Sequence, residues 1–246
     1  MMWIGVVCEG DRDYDMIKHV ASHFLEEETQ WLWLQPDPEF GTQINGNGWK
    51  GVLRWCETHK EDLDLYISEI TPKIDALIIQ IDADVARCEE EVYCKRILCG
   101  CAEQGTVDPL NCDLAINGQC PQTLPPNSLC NGTPAELTAY LKELIKTYLE
   151  DKKDIPVLLV PCDASDTWIL AAFEETEDDL EAVPSPWKII TRKKDFHGIR
   201  IPGRKKLKSP YLQLIDEVCA KWETVKGKCP QASAFEAELK NQLGIS

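Results

Sequence analysis

The sequence contains no apolar run near the roughly eighteen residues that a membrane-spanning helix needs. Positive charge is also scarce: 26 lysines and arginines face 42 aspartates and glutamates, which gives a formal net charge of −16. This shortage excludes a surface that adheres broadly to nucleic acid. The first apolar run has no basic leader and meets Glu9 too early for a signal peptide, so we expect a cytoplasmic protein with no membrane partner.

Two common motifs are missing. No Gly-x-x-x-x-Gly-Lys-Ser/Thr occurs, so the chain lacks the phosphate-binding loop of P-loop ATPases. No Cys-x-x-Cys occurs either, although the chain has 12 cysteines. In a cytoplasmic protein we expect reduced thiols, and structural Zn²⁺ is an alternative that the missing paired motif does not favour. The cysteines cluster in and before a segment rich in Pro, Asn and Gly: Cys88, Cys94, Cys99, Cys101, Cys112, Cys120 and Cys130.

Short apolar segments alternate with stretches of helical periodicity. This alternation predicts an α/β fold, with a parallel sheet flanked by helices. The aperiodic Cys-rich stretch at about 104–132 is expected to be an insertion. We divide the chain into an α/β domain over 1–165 and a C-terminal helical extension over 166–246. The strands are expected at 3–8, 30–35, 76–81 and 157–160, and the helices at 13–27, 52–70, 134–149, about 211–223 and 233–243.

Acidic residues follow the first and third predicted strands. Glu9 and Asp13 come after the first, and Asp82 and Asp84 come after the third. The carboxyl ends of parallel strands lie at one edge of a sheet, where ligands bind, so we expect the two groups to converge. Clustered carboxylates repel one another unless a cation lies among them, which predicts a site for Mg²⁺ or Mn²⁺.

The segment Glu9-Gly10-Asp11-Arg12-Asp13 after one strand, and Asp82-Ala83-Asp84 after a later strand, resemble the Toprim domain. The first motif is most similar to the nuclease branch, found in overcoming-lysogenization-defect proteins. A weaker similarity, Asp166 ahead of Trp168, is to small stand-alone Toprim-like proteins of prokaryotic mobile-element and phage-defence genes. The resemblance implies that the glutamate and the Asp-x-Asp motif lie side by side.

The resemblance also implies roles. Glu9 would act as metal ligand or general base, Asp82 and Asp84 as metal ligands, and Asp13 as an accessory ligand in hydrolysis of DNA or RNA. Because the chain has no ATPase motif of its own, nucleotide-driven control would require a separate ATPase or sensor protein. A homo-oligomer is compatible with this interpretation.

Basic residues are concentrated between positions 188 and 208. This segment could hold a phosphate-rich partner, or it could be an exposed loop that offsets the acidic stretch before it. Lys206, or its neighbour Lys205, could neutralise charge in the transition state. The residues expected to bind nucleic acid are Arg192, Lys193, Lys194, Arg204, Lys205 and Lys206.

Other interpretations stay open. A catalytically silent Toprim-like module could bind a partner ATPase or nucleic acid through the basic segment and terminal helices. Asp82-Ala83-Asp84-Val85 also fits the opening motif of haloacid-dehalogenase-type phosphatases, whose first aspartate is a nucleophile, but the later motifs of that family are out of order here. The glycine-rich stretch 45–50 could cradle a phosphate, although a plain turn is favoured.

Overall fold

The structure is a computed structural model that describes residues 1–25, 27–36, 45–86, 132–176, 179–192, 194–203 and 205–245. Its centre is a parallel four-stranded sheet flanked by helices. The strands lie in the order β2-β1-β3-β4, so the first and third strands are neighbours. Their bounds are β1 Met2–Val7, β2 Thr29–Gln35, β3 Ala76–Gln80 and β4 Val157–Leu159. The predicted α/β class and all four strands are confirmed.

The strands form because they are short and apolar and can be buried on both faces, as parallel sheets usually are. Every residue of β3 is buried, and so are the last four of β1. Successive side chains point to opposite faces. Ile78 therefore packs on one side with the helix that follows β1 and with the C-terminal helices, while Ile79 packs on the other with helices from the middle of the chain.

The helices that pack on the sheet follow their apolar periodicity. The predicted helix at 134–149 has the predicted bounds, because Thr133 and Glu136 form a reciprocal capping box and Pro134 occupies the first turn. The prediction of one helix over 52–70 is wrong, since the charged stretch at 60–62 separates two helices. The helices up to this point are α1 Asp11–Leu25, α2 Gly48–His59, α3 Leu63–Glu69 and α4 Pro134–Leu149.

The C-terminal segment contains three helices where two were predicted. The last begins at Pro230, which suits the first turn of a helix and cannot continue the one before it. The basic segment also has secondary structure that the sequence did not reveal, including a short hairpin. The helices are α5 Thr167–Phe173, α6 Pro186–Ile190, α7 Lys208–Ala220, α8 Trp222–Lys228 and α9 Pro230–Leu243, and the hairpin is β5 Asp195–Phe196 with β6 Ile199–Arg200.

Three short 3₁₀ turns complete the described secondary structure: Ala83–Ala86, Glu150–Lys152 and Leu180–Ala182. Within the described ranges, none of the helices has both the length and the apolar character that crossing a membrane requires. The predicted Cys-rich insertion, up to position 131, lies outside the described residues, and so do the seven clustered cysteines in and before it, Lys193 and Arg204.

Candidate acidic site at the carboxyl edge of the sheet

Glu9 and Asp82 meet at the carboxyl edge of the sheet. The register pairs Val7 of β1 with Ile79 of β3, which brings the residues that follow these strands together. The backbone amide of Asp82 donates to Glu9 Oε1 at 2.8 Å. Gln80 lies between them: its Oε1 accepts from the Glu9 amide at 3.2 Å, and its Nε2 donates to Asp82 Oδ1 at 2.7 Å. The two motifs are therefore adjacent in space.

Asp13 joins them from the first turn of α1. Its side chain is buried, and its Oδ1 accepts a hydrogen bond of 2.9 Å from the Ser165 hydroxyl. The amide of the same serine donates to Asp82 Oδ1 at 3.2 Å. Ser165 therefore ties the two aspartates together from the loop that follows β4.

Lys206 supplies positive charge beside these carboxyl groups. Its Nζ lies 2.6 Å from Asp166 Oδ2, and the Asp166 side chain is only 3% exposed. Tyr211 donates from its hydroxyl to the other oxygen of Asp166 at 3.0 Å. Arg12 Nε donates to the Lys206 carbonyl oxygen at 2.8 Å, which holds the lysine backbone against α1. Lys206 is thus anchored by groups from three parts of the chain.

The glycine-rich stretch holds Glu9 in place. The amide of Gly48 donates to the Glu9 carbonyl oxygen at 3.0 Å, and the amide of Trp49 donates to the Glu9 carboxyl group. Gly46 and Gly48 have φ angles of 84° and 62°, which favour glycine. This stretch and the start of α2 bind a carboxylate of the protein itself.

The electrostatics of the site are unfavourable to ionised carboxylates. Burial, followed by repulsion from Asp13 and Asp84, raises the pKa of Glu9 to about 8. Burial and the same neighbouring acids also raise the pKa of Asp82 well above its usual range. The pKa of Asp13 is raised by burial, although Lys206 opposes the shift. One lysine therefore does not neutralise the cluster.

Asp84 is the exposed member of the predicted set. It lies in the 3₁₀ turn after β3, and its amide donates to the carbonyl oxygen of Asp163 at 2.8 Å. The Asp163 carboxylate accepts from the amide of Ser185 at 2.9 Å. Asp84 thus lies on the solvent side of the cluster, and Asp163 has a structural role in the loop after β4.

The donor groups of the cluster are carboxylates. Carboxylate oxygens are the ligands that Mg²⁺ and Mn²⁺ prefer, and an uncompensated group of carboxylates attracts such ions. In the part of the chain that the structure describes, however, no three Asp, Glu, His or Cys side chains converge into an arrangement that could hold a metal ion. The donor chemistry fits the predicted metal, whereas the side-chain positions do not form a complete ligand set.

The basic residues lie in two places. Lys206 points into the acidic site, whereas Arg192, Lys194 and Lys205 are exposed. The choice between the neighbouring lysines could not be made from sequence, because both follow the same Gly-Arg pair and only the fold shows which one meets Asp166.

Sequence reasoning assigned no role in the site to three contributors: Gln80, Ser165 and Asp166. A signal for the last two was available. They follow the fourth parallel strand, so the rule that brought Glu9 and Asp82 together also applied to them. Gln80 had no such signal, because it ends an apolar strand and nothing in that sequence indicates that its side chain joins Glu9 to Asp82.

The fold and the site define a class: an α/β protein with a carboxylate cluster and one buried ion pair at the carboxyl edge of its parallel sheet. A scan of protein-family models, a search of curated proteins and a search of solved structures each found no match. The functional interpretation therefore depends on the geometry and on the sequence motifs.

Proposed function

We propose that this protein is a divalent-metal-dependent nuclease that hydrolyses phosphodiester bonds in DNA or RNA. The observation that carries the proposal is the adjacency of Glu9 and Asp82, with the Asp82 amide 2.8 Å from Glu9 Oε1, beside Asp13 and Lys206. Glu9, Asp13, Asp82 and Asp84 are the residues that would hold Mg²⁺ or Mn²⁺. When bound, such an ion supplies Lewis-acid activation of water and neutralises charge on the phosphate.

Residues of the chain would supply the other roles in hydrolysis. Ser165 orients both Asp13 and Asp82 by donating to each, so these carboxylates are positioned before substrate arrives. Asp166 holds the ammonium group of Lys206, which can interact with a phosphate oxygen as negative charge develops. Glu9 is held by backbone amides at the strand end, where it can bind a cation or accept a proton from water. As part of this proposal, the resemblance to the Toprim family would imply a role in prokaryotic phage defence or mobile elements, together with a separate ATPase or sensor.

A second candidate function is a catalytically silent module that binds nucleic acid or a partner protein. The observation that favours it is the absence, among the described residues, of a convergent metal-ligand group. In that case Glu9 would retain a proton at neutral pH, because burial raises its pKa to about 8. Haloacid-dehalogenase-type phosphatase activity is the minor alternative.

The test combines cleavage with direct metal binding. Plasmid DNA and RNA are incubated with the full chain in Mg²⁺, Mn²⁺ or EDTA, and Mn²⁺ binding is measured by electron paramagnetic resonance without substrate. We expect Asp82→Asn to lower the rate of cleavage by at least about 100-fold and to weaken Mn²⁺ binding. A loss of this size exceeds what is typical when a residue only supports a metal ligand. Asn retains the Oδ1 acceptor for Gln80 and Ser165, so the loop should keep its position.

Asp154→Asn is the matched control, because Asp154 is exposed and precedes the amino end of β4, at the opposite edge of the sheet. It should cleave and bind Mn²⁺ as the wild type does. Intact DNA and RNA in both metals, together with no Mn²⁺ binding, would favour the silent module. Rapid hydrolysis of p-nitrophenyl phosphate without action on nucleic acid would favour the phosphatase.

A further inference from the structure

A polar cavity lies beside the β5–β6 hairpin, apart from the acidic site. Its volume is about 410 Å³, and three of its lining residues are cationic: Arg192, Lys194 and Arg200. Thr191 and the stretch 201–203 also line the cavity. The volume falls within the usual range of small-ligand pockets, about 300–1,000 Å³.

Among the described residues that line the cavity, three are cationic and none is acidic. Within the described ranges, no acidic side chain forms an ion pair with Arg192, Lys194 or Arg200. The acidic residue nearest in register is Asp195, which pairs with Arg200 across the hairpin and accepts a hydrogen bond of 2.8 Å from the Gly198 amide. In a chain of net charge −16, three cations that make no ion pair within the described part of the chain give this cavity a positive local charge, which attracts anions.

A tight hairpin turn lies between Lys194 and Arg200. His197 and Gly198 have φ angles of 48° and 89°, and two positive φ values are characteristic of the two-residue turn that suits a hairpin. Phe196 is buried, and the Ile201 amide donates to the Lys194 carbonyl oxygen at 2.9 Å. The turn and this hydrogen bond hold Lys194 and Arg200 near each other, which lowers the ordering cost of binding an anion between them.

The cavity is close in sequence to the acidic site. Gly203 lines the cavity, and Lys206, three residues later, contacts Asp166. Because three extended residues span at most about 11 Å, the backbones at these two positions lie within that distance. One nucleic-acid strand could therefore contact both places over a short length.

We infer that the cavity formed by Arg192, Lys194 and Arg200 binds a backbone phosphate of the nucleic-acid strand whose neighbouring phosphate meets the acidic site. This inference depends on the proposed function for its substrate class. It assigns the cations of the basic segment two roles: Lys206 acts at the acidic site, and the three cavity residues hold the strand. Phosphate contacts of this kind position a strand without reading its sequence.

The experiment measures binding separately from cleavage. The wild-type chain and the variant Arg192→Ala/Lys194→Ala/Arg200→Ala are titrated in EDTA against fluorescein-labelled single-stranded and double-stranded oligonucleotides, over a series of KCl concentrations. We expect the triple variant to bind at least about 10-fold more weakly, and the slope of log K against log salt to fall in magnitude by about 2–3, near one unit per lost phosphate contact. Inorganic phosphate should compete with the oligonucleotide for the wild type.

The matched control is Lys18→Ala/Lys73→Ala/Lys153→Ala, which removes the same charge from three exposed positions outside the cavity. It should bind within about twofold of wild type, because long-range charge is screened by salt. If the triple variant of the cavity does not fold, the double variant Lys194→Ala/Arg200→Ala is tested instead. Its control is Lys18→Ala/Lys73→Ala.

Three outcomes would each overturn the inference. The cavity variant could bind as tightly as the wild type, the control could lose as much affinity as the cavity variant, or the wild type could fail to bind the oligonucleotides at the lowest salt concentration. These outcomes are distinct from failure of the proposed function. Loss of binding in the cavity variant alone, with no cleavage by any form of the protein, would support the cavity and contradict the nuclease. Cleavage with an unchanged KM in the cavity variant would support the nuclease and contradict the cavity.

Discussion

Lys206 and Asp166 show, at the scale of single residues, how the site is stabilised. Burial lowers the pKa of Lys206, while the carboxylates of Asp166, Asp13 and Asp82 raise it, and the raising effect prevails. The ammonium group also lies 5.7 Å from the centroids of two aromatic rings, those of Trp187 and Tyr211. The lysine is therefore held in its charged form.

Lys206→Met should destabilise the protein because it leaves the carboxylate of Asp166, 3% exposed, without its cation. Breaking a buried pair typically costs about 3–5 kcal/mol, and we expect about 2–3 kcal/mol since Lys206 itself is partly exposed. Urea unfolding at neutral pH measures the loss. Lys205→Met, at the exposed neighbour, is the control and should stay within about 0.5 kcal/mol of wild type. Equal losses in the two variants would contradict the ion-pair argument, and adding Asp166→Asn to Lys206→Met should restore part of the stability.

The start of α2 illustrates how an element is positioned by close packing. A Cβ atom at Gly51 would lie 2.7 Å from Gln35 Nε2 and 2.9 Å from the carbonyl oxygen of Gly46. The same side-chain nitrogen donates to that carbonyl oxygen at 2.8 Å. Gly51 therefore allows α2 to approach the end of β2, which places the first amides of the helix beside Glu9.

Gly51→Ala should push α2 away from this contact and cost about 1–3 kcal/mol, as overpacking usually does. Gly227→Ala is the matched control: Gly227 also lies in a helix, but a Cβ there meets nothing within 4 Å. That change should be neutral or stabilise by up to about 1 kcal/mol, since alanine favours helix. Urea unfolding of both variants measures the difference, and a Gly51→Ala protein as stable as wild type would show that α2 adjusts freely.

Glu181 makes the contact between the Leu180–Ala182 turn and the first turn of α9 dependent on pH. Its side chain is buried, and its Oε1 accepts from the amide of Gln231 at 3.1 Å. Burial raises its pKa to about 7, the Gln231 hydrogen bond opposes the shift, and Asp179 adds to it. The folded state therefore binds this proton more tightly than the unfolded chain does.

The direction in which stability changes with pH follows from that preference. Stability contributed by protonated Glu181 is fully present below the unfolded pKa near 4.5 and is lost as pH rises to about 7. The loss is at most about 3–4 kcal/mol, at 1.36 kcal/mol per pKa unit. We expect Glu181→Gln to flatten the decline in the free energy of unfolding over this range, measured by urea titrations at several pH values. Glu136→Gln is the control: the capping box lowers the pKa of Glu136, so this residue should make stability rise with pH and its removal should not flatten the decline. If the free energy of unfolding of Glu181→Gln declined with pH as steeply as that of the wild type, Glu181 would not be the residue responsible.

At the scale of the whole molecule, the C-terminal helices share a core with the N-terminal part of the sheet. Phe24 of α1 stacks on Trp222 of α8 with ring centroids 5.9 Å apart, and Trp222 meets Trp168 of α5 at 5.4 Å. Phe235 of α9 packs against Phe24 at 5.7 Å. Aromatic side chains bury large areas, so this cluster joins the two segments strongly.

A fragment of residues 1–165 should therefore fail to fold cooperatively, because it would expose the face of β1 and α1 that these aromatics cover. The full chain should show one cooperative urea transition by far-ultraviolet circular dichroism and by tryptophan fluorescence. A cooperative transition in the isolated fragment would instead support the division into an α/β domain over 1–165 and an extension over 166–246, which remains a sequence-based prediction.

The sequence by itself determined the alternation of strands and helices, the bounds of α4, and the edge of the sheet at which Glu9 and Asp82 meet. These features follow from local periodicity, capping and the shared direction of parallel strands, which a linear pattern carries. Tertiary structure alone decided that Lys206 pairs with Asp166, that Ser165 joins Asp13 to Asp82, and that the glycine-rich stretch holds Glu9. Such contacts join residues up to 194 positions apart, as between Arg12 and Lys206, and depend on how helices and loops pack in three dimensions.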